Sequence, residues 1–124
     1  MSRRVLIVDD NRELAESLAE LLAGEGLEPL VRDDAQLAVR DAPSLRFDAA
    51  LLDARMPGVD GLELVRQLAP HAPHAVYVLM TAFPREAQLA HRDARVRRVL
   101  AKPFGPDVLI AALRDTELMG AARR

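Results

Sequence analysis

The sequence predicts an α/β fold in which a parallel sheet is covered by helices on both faces. Three observations carry that reading: short apolar runs recur without polar alternation, helical patterns separate them, and each run stops at a polar or charged residue. Unbroken apolar runs fit strands buried on both faces, as in parallel sheets. Right-handed strand–helix–strand crossovers then lay the helices on the sheet.

The first strand is Val5–Val8. Leu14, Leu18, Leu21 and Leu22 follow at helical spacing, with Asp10 or Asn11 as N-cap and Gly24 and Gly26 at the end. The second strand, Leu27–Val31, contains Glu28 and Pro29. Proline has no N–H to give to a ladder, so this strand belongs at an edge. A second helix runs from Asp34 to about Asp41 and stops before Pro43. The third strand is Ala49–Leu52, and the third helix carries Leu62, Val65 and Leu68 on one face before Pro70. The fourth strand is Ala75–Met80, followed by a weakly patterned helix from about Pro84. The fifth strand is Val99–Ala101. The fifth helix opens at Gly105–Pro106, with Asp107 near the positive end of its dipole. Its Val108, Leu109, Ile110, Ala112 and Leu113 are too broad a set for one core-facing stripe. No linker, repeat or low-complexity segment interrupts the series. Residues 1–124 are therefore expected to form one domain, with an ordered core over about 3–118 and a frayed Gly120–Arg124.

Composition narrows the function. Half the residues are hydrophobic, which excludes a disordered chain, and only 3% are aromatic, so Leu, Val, Ala and Ile must fill the core. A net charge of -2 does not suit a nucleic-acid binder. With no cysteine there is no disulfide framework, thiolate metal site or cysteine nucleophile. The run in "MSRRVLIVDD" is too short for a signal peptide, and no stretch approaches a membrane span. A soluble, cytoplasmic domain bound to neither membrane nor nucleic acid is expected.

Ligands of open α/β sheets bind beyond the carboxyl ends of the strands. The residues there are Asp9 and Asp10 after the first strand, Asp53 after the third, Thr81 after the fourth and Lys102 after the fifth. If the first and third strands are neighbours, the three aspartates converge. Carboxylates so close repel, so either one holds a proton or a cation sits among them. An all-oxygen donor set suits Mg²⁺. Thr81 adds a hydroxyl donor and Lys102 a movable point charge. Together these groups suit phosphoryl binding, with Asp53 as a nucleophile that becomes an acyl phosphate. Taken singly, the Asp9–Asp10 pair also suits a helix cap, Thr81 a hydroxyl bonded to backbone, and Lys102 an exposed charge. Lys102 is nevertheless the single lysine among seventeen basic residues, which marks a place where arginine does not serve.

The segments "VLIVDDN", "LLDARMPGVDGLEL", "VLMTAF" and "VLAKPF" together resemble the receiver domain of bacterial two-component response regulators, over nearly the whole chain. The resemblance implies a flavodoxin-like (βα)5 doubly wound sheet of order 2-1-3-4-5, with three helices on one face and two on the other. It implies that Asp53 accepts a phosphoryl group from the phosphohistidine of a sensor histidine kinase or histidine phosphotransfer protein. Asp10 and Asp53 would ligate Mg²⁺ together with the backbone carbonyl of Arg55, and Asp9 would act through a water. Thr81 and Lys102 would bind phosphoryl oxygens, and the Lys102–Pro103 peptide would be cis. A compact ammonium can approach one phosphoryl oxygen where the wide guanidinium fork cannot. The implied function is a phosphorylation-dependent switch that alters partner binding or self-association, not an enzyme with turnover on a separate substrate. The alternative is a degenerate receiver that binds partners without phosphorylation.

The chain departs from the family pattern in three places. Val99 stands where an aromatic residue of the fifth strand is usual. The spacing from Thr81 to Lys102 is about a residue short, and "HRDARVRRVL" replaces a run of small residues, so the fourth helix is expected to be short, shifted or mobile. Arg55 stands two residues beyond Asp53, where its cation would lie over the phosphoryl group or pair with an acidic neighbour. The family's output face, formed by helix four, strand five and helix five, carries Arg92, Arg95, Arg97 and Arg98 here. That face would serve as a homodimer contact or a docking surface for an acidic partner. The three histidines are scattered: His71 and His74, in the proline-rich "APHAPH", read as a surface loop rather than a metal site, and His91 stands apart. A haloacid-dehalogenase-type phosphatase would need an aspartate where Arg55 stands, and a nucleotide or flavin binder would need a glycine-rich loop after the first strand.

Overall fold

A computed structural model describes residues 3–115. In chain order the elements are β1 (Arg4–Val8), α1 (Arg12–Gly24), β2 (Glu28–Arg32), α2 (Ala35–Asp41), β3 (Ala49–Asp53), β4 (Arg55–Met56), β5 (Val59–Asp60), α3 (Gly61–Leu68), β6 (Val76–Thr81), α4 (Pro84–His91), β7 (Val96–Ala101) and α5 (Pro106–Asp115). Five strands form one sheet ordered β2–β1–β3–β6–β7, with every pairing parallel. With the short β4 and β5 set aside, this is the flavodoxin-like 2-1-3-4-5 arrangement. Pro29 lies on β2 at the edge, where its missing N–H costs no ladder bond.

The apolar runs become the two-sided core. Val5–Val8 and Ala49–Leu52 are fully buried, and alternate residues face opposite layers. Val5, Ile7, Leu51 and Met80 pack with Leu18 and Leu22 of α1 and with Leu109 and Leu113 of α5. Leu6, Val8, Leu52 and Leu79 pack with Ala38 of α2, Leu64 and Leu68 of α3, and Ala90 of α4. Two helices therefore cover one face and three the other. Each fully buried leucine contributes about 1.5–3 kcal/mol.

Local chemistry sets the helix ends. Asn11, not Asp10, caps α1: its Oδ1 accepts the Leu14 N–H at 3.1 Å. Asp10 is left exposed at the end of β1. Gly26, at φ +86°, closes α1 in a Schellman turn, with Leu27 N–H donating to the Leu22 carbonyl at 3.0 Å. Asp34 and Asp60 cap α2 and α3 by accepting the Gln36 and Glu63 N–H groups at 2.7 and 2.8 Å.

Other elements differ from expectation. The β4–β5 hairpin was not anticipated; it turns through Pro57 and Gly58, whose φ of +85° suits glycine. Beyond α2 the chain continues into a 3-10 turn, Ala42–Ser44, where Pro43 fits the first turn. Strand β7 begins at Val96, not Val99. Its first half carries exposed Arg97 and Arg98, as an edge strand can, and so shows no apolar run. Tyr77 pairs with Val96 and Val78 with Arg98, so Arg97 is the extra residue of a bulge. Helix α4 is only two turns long and buries Ala90 alone, which explains its weak pattern. On α5 Leu109, Ala112 and Leu113 are buried, while Val108 is 48% exposed. The end of the expected core and Gly120–Arg124 lie outside the described residues. No helix of the described residues is long and apolar enough to cross a membrane.

Tyr77 anchors the amino end of β6. Its ring meets Phe47 edge-on, with centroids 6.4 Å apart, and its hydroxyl donates to the Ala72 carbonyl at 2.9 Å. Burial pushes this phenol up to about 12.

Asp41 ties the end of α2 to β2. Hydrogen bonds from Arg40 first, and from Arg32 second, hold its carboxyl below the ordinary 3.8. A depressed acid stabilises the fold fully above its unfolded pKa and loses that contribution as pH falls through the folded value. Urea unfolding of Asp41→Asn should therefore show a smaller loss of stability than wild type between about pH 5 and pH 2.

Candidate functional site

The register of the parallel strands assembles the site. Val8 pairs with Leu52, Asp53 with Met80 and Thr81 with Ala101. Asp9, Asp53, Thr81 and Lys102 therefore end neighbouring strands along the carboxyl edge of the sheet. The Lys102 N–H continues the ladder by donating to the Thr81 carbonyl at 2.8 Å. The Lys102–Pro103 peptide is cis, as expected.

Asp9 is fully buried and doubly engaged. Its Oδ1 accepts the Asn11 N–H at 2.9 Å, and its Oδ2 accepts from Lys102 Nζ at 3.0 Å. The same ammonium lies 3.4 Å from Asp53 Oδ1, which also accepts the Arg55 N–H at 3.3 Å. Burial foremost, and then the charge of Asp9, push the Asp53 pKa up, against Lys102 and the Arg55 N–H.

Asp10 completes the acidic group from the solvent side. Carboxylate oxygens of Asp9, Asp10 and Asp53 lie within 4.8 Å of one another, the one such cluster among the described residues. The residues fit a hard divalent cation: the donors are all oxygens, their negative charge exceeds that of the single ammonium, and exposed Asp10 leaves an approach open. His71, His74 and His91 are exposed and belong to no such cluster.

The loop after Asp53 is pressed against the sheet. A Cβ on Gly61 would meet Leu79 Cδ2 at 2.8 Å and Ala54 Cα at 2.9 Å, and the Gly61 N–H donates to the Ala54 carbonyl at 2.9 Å. Only glycine fits this approach. Its role was not legible, although it lies within the "PGVDG" stretch.

Thr81 and Arg55 meet at a residue that the sequence reading did not single out. The buried Thr81 Oγ1 accepts the Phe83 N–H at 3.0 Å and donates to Glu86 Oε1 at 2.8 Å. Arg55 Nε donates to Glu86 Oε2, and the guanidinium lies 3.8 Å from the centre of the Phe83 ring. Of the two expectations for Arg55, pairing with an acidic neighbour is the one observed. Burial works against the charge of Glu86, but the bonds from Arg55 and Thr81 outweigh it and hold the acid below its ordinary 4.5. The only sequence signal for Glu86 was an acidic residue in the first turn of a helix.

On the expected output face, Val99 is half-buried against the layer of α2, α3 and α4. Arg95 pairs with Asp93 at 2.9 Å, and Arg92, Arg97 and Arg98 are exposed.

Residues 5–114 match the model of the response regulator receiver domain. A response regulator receiver protein of Anaeromyxobacter sp. (strain Fw109-5) is 44% identical over 102 residues, covering 82% of this chain and 43% of that protein. The DNA-binding response regulator MtrA of Mycolicibacterium paratuberculosis is 32% identical over 114 residues, covering 92% and 51%. A CheY-like receiver domain structure from Methanospirillum hungatei JF-1 superposes with a TM-score of 0.87 at 22% identity, over 98% of this chain and 99% of that one. The chain belongs to the response regulator receiver domain family, a family of signalling proteins. It spans about half the length of these curated relatives.

The crowding around Asp53 has a thermodynamic consequence. Asp53→Asn removes one of two like charges from a buried pair and should raise stability by about 1 kcal/mol. Urea midpoints measured with and without Mg²⁺ check it: the ion should stabilise wild type and have little effect on the variant.

Proposed function

We propose that this chain is a phosphorylation-dependent signalling switch, residues 1–124 forming one receiver domain, with Asp53 as the phosphoacceptor. The observation that carries the reading is Lys102 Nζ held between Asp9 Oδ2 and Asp53 Oδ1, beside a three-aspartate cluster at the carboxyl edge of the sheet.

The donor is the phosphohistidine of a sensor histidine kinase or histidine phosphotransfer protein. An Asp53 carboxylate oxygen attacks the phosphorus and the P–N bond breaks. The imidazole nitrogen keeps the electron pair, and an acyl phosphate remains on Asp53. Hydrolysis of that anhydride resets the switch. Lys102 is already 3.4 Å from the acceptor and offers its charge to the incoming phosphoryl oxygens. Thr81 offers its hydroxyl proton from the next strand. Asp10, Asp53 and the Arg55 carbonyl would hold Mg²⁺, with Asp9 beside them. When bound, the ion neutralises charge on the phosphoryl oxygens.

Output runs through the face of α4, β7 and α5. It carries Arg92, Arg95, Arg97 and Arg98 together with exposed Leu89 and Val108. That surface suits an acidic partner or a second copy of the chain. Such a switch works in the cytoplasm, where its kinase presents the phosphohistidine. Val99, in place of an aromatic, favours a second reading, a receiver that binds partners without phosphorylation.

Intact-mass measurement with phosphoramidate separates the two. The switch gains one phosphoryl group when Mg²⁺ is present, and none without the ion or in Asp53→Asn. No gain under any condition would favour the phosphorylation-independent module. Lys102→Arg keeps the charge but not its compact shape, and should slow that phosphorylation roughly tenfold or more. A wild-type rate in this variant would remove the explanation for the single lysine.

A further inference from the structure

Glu86 stands outside the acidic cluster, yet it engages two residues that border the site. Its Oε1 accepts a hydrogen bond from the Thr81 hydroxyl, and its Oε2 accepts one from Arg55 Nε. A threonine hydroxyl has one proton to give. Here that proton points at Glu86, while the oxygen itself is occupied by the Phe83 N–H. Thr81 is 3% exposed, so water has little access to it. A phosphoryl oxygen on Asp53 can accept this hydrogen bond only if the hydroxyl turns away from Glu86.

The same competition holds for Arg55. Its side chain is drawn to Glu86 and laid on Phe83, while its backbone N–H holds Asp53. A phosphoryl dianion would attract this guanidinium and repel the Glu86 carboxylate. Glu86 is the third residue of α4, a helix whose N-cap, Phe83, offers no side-chain bond. The bonds that Glu86 accepts from Thr81 and Arg55 therefore fasten the first turn of α4 to the ends of the sheet.

We infer that Glu86 is a positioning residue: it competes with a phosphoryl group on Asp53 for Thr81 and Arg55, and its release carries the change to α4. This rests on the proposed role of Asp53. It also supplies a route to α4 that needs no aromatic side chain at Val99.

Calorimetric titration of the full chain with beryllofluoride, a phosphoryl mimic, in the presence of Mg²⁺ tests the inference. Glu86→Ala frees both partners and should bind roughly tenfold more tightly than wild type, the weight of one charge-assisted hydrogen bond. Glu86→Gln keeps an acceptor for Thr81 but loses the charge, and should fall between the two. Hydrogen exchange supplies the second readout. In wild type the Ala87 amide, bonded to the Phe83 carbonyl, should exchange faster once beryllofluoride binds. In Glu86→Ala it should exchange fast from the start and change little. A purely structural role in α4 would raise exchange in the variant without tightening binding. That result, or weaker binding, overturns the inference. If Glu86→Ala does not fold, Glu86→Gln decides, and an unchanged affinity overturns the inference. If wild type neither binds beryllofluoride nor accepts a phosphoryl group, the proposed role of Asp53 fails and takes this inference with it. Equal affinities in proteins that do bind overturn the inference alone.

Discussion

Asp9 and Asp53 end adjacent parallel strands, so the sheet itself forces two carboxylates into a space that holds little water. The register that brings them together is set by the buried residues before them, Val5–Val8 against Ala49–Leu52. With aspartates at these two positions, the same register that builds the core sets up an electrostatic conflict at its end. One ammonium, reaching in from a strand two places away from β3, contacts both charges. Two negative groups sharing one positive group leave a net deficit of positive charge, and exposed Asp10 adds to it. The fold gives up some stability at this edge and keeps there a concentration of negative charge that a cation would relieve.

The surroundings of the pocket differ in how firmly they are held. On the β3 side, Gly61 packs backbone against backbone with Ala54 and leaves no freedom. On the β6 side, α4 buries one alanine and leans on polar contacts. A helix with so little apolar burial depends more on each hydrogen bond than does α1 or α3. Charge rearrangement near Thr81 therefore acts on an element with little else to hold it, while α3 in the same layer stays fixed by Leu64 and Leu68.

What was legible in the sequence follows from what is local. An apolar run that stops at a polar or charged residue marks the end of a buried strand, and Asp9, Asp53, Thr81 and Lys102 were read from that alone. Pro29 marked its edge because one missing N–H has one consequence. Contacts between distant elements left no such mark. Arg55 stood out by its place two residues beyond Asp53, but its partner Glu86, 31 residues away, looks like an ordinary surface charge. The β4–β5 hairpin has strands of two residues, too short to show a period. The start of β7 was hidden because an exposed edge tolerates Arg97 and Arg98 where a central strand would not. Asn11 and Asp10 are both good caps by type, and only the path of the chain decided between them.

Tyr77 has one more consequence. It is the only tyrosine in a chain without tryptophan, and it lies at the opposite end of β6 from Thr81, about 13 Å of strand away. Its ring is packed on Phe47 and its hydroxyl is tied to Ala72, both remote from the acidic edge. The tyrosine absorbance and fluorescence of this protein thus follow the melting of the core and are blind to what occupies the pocket.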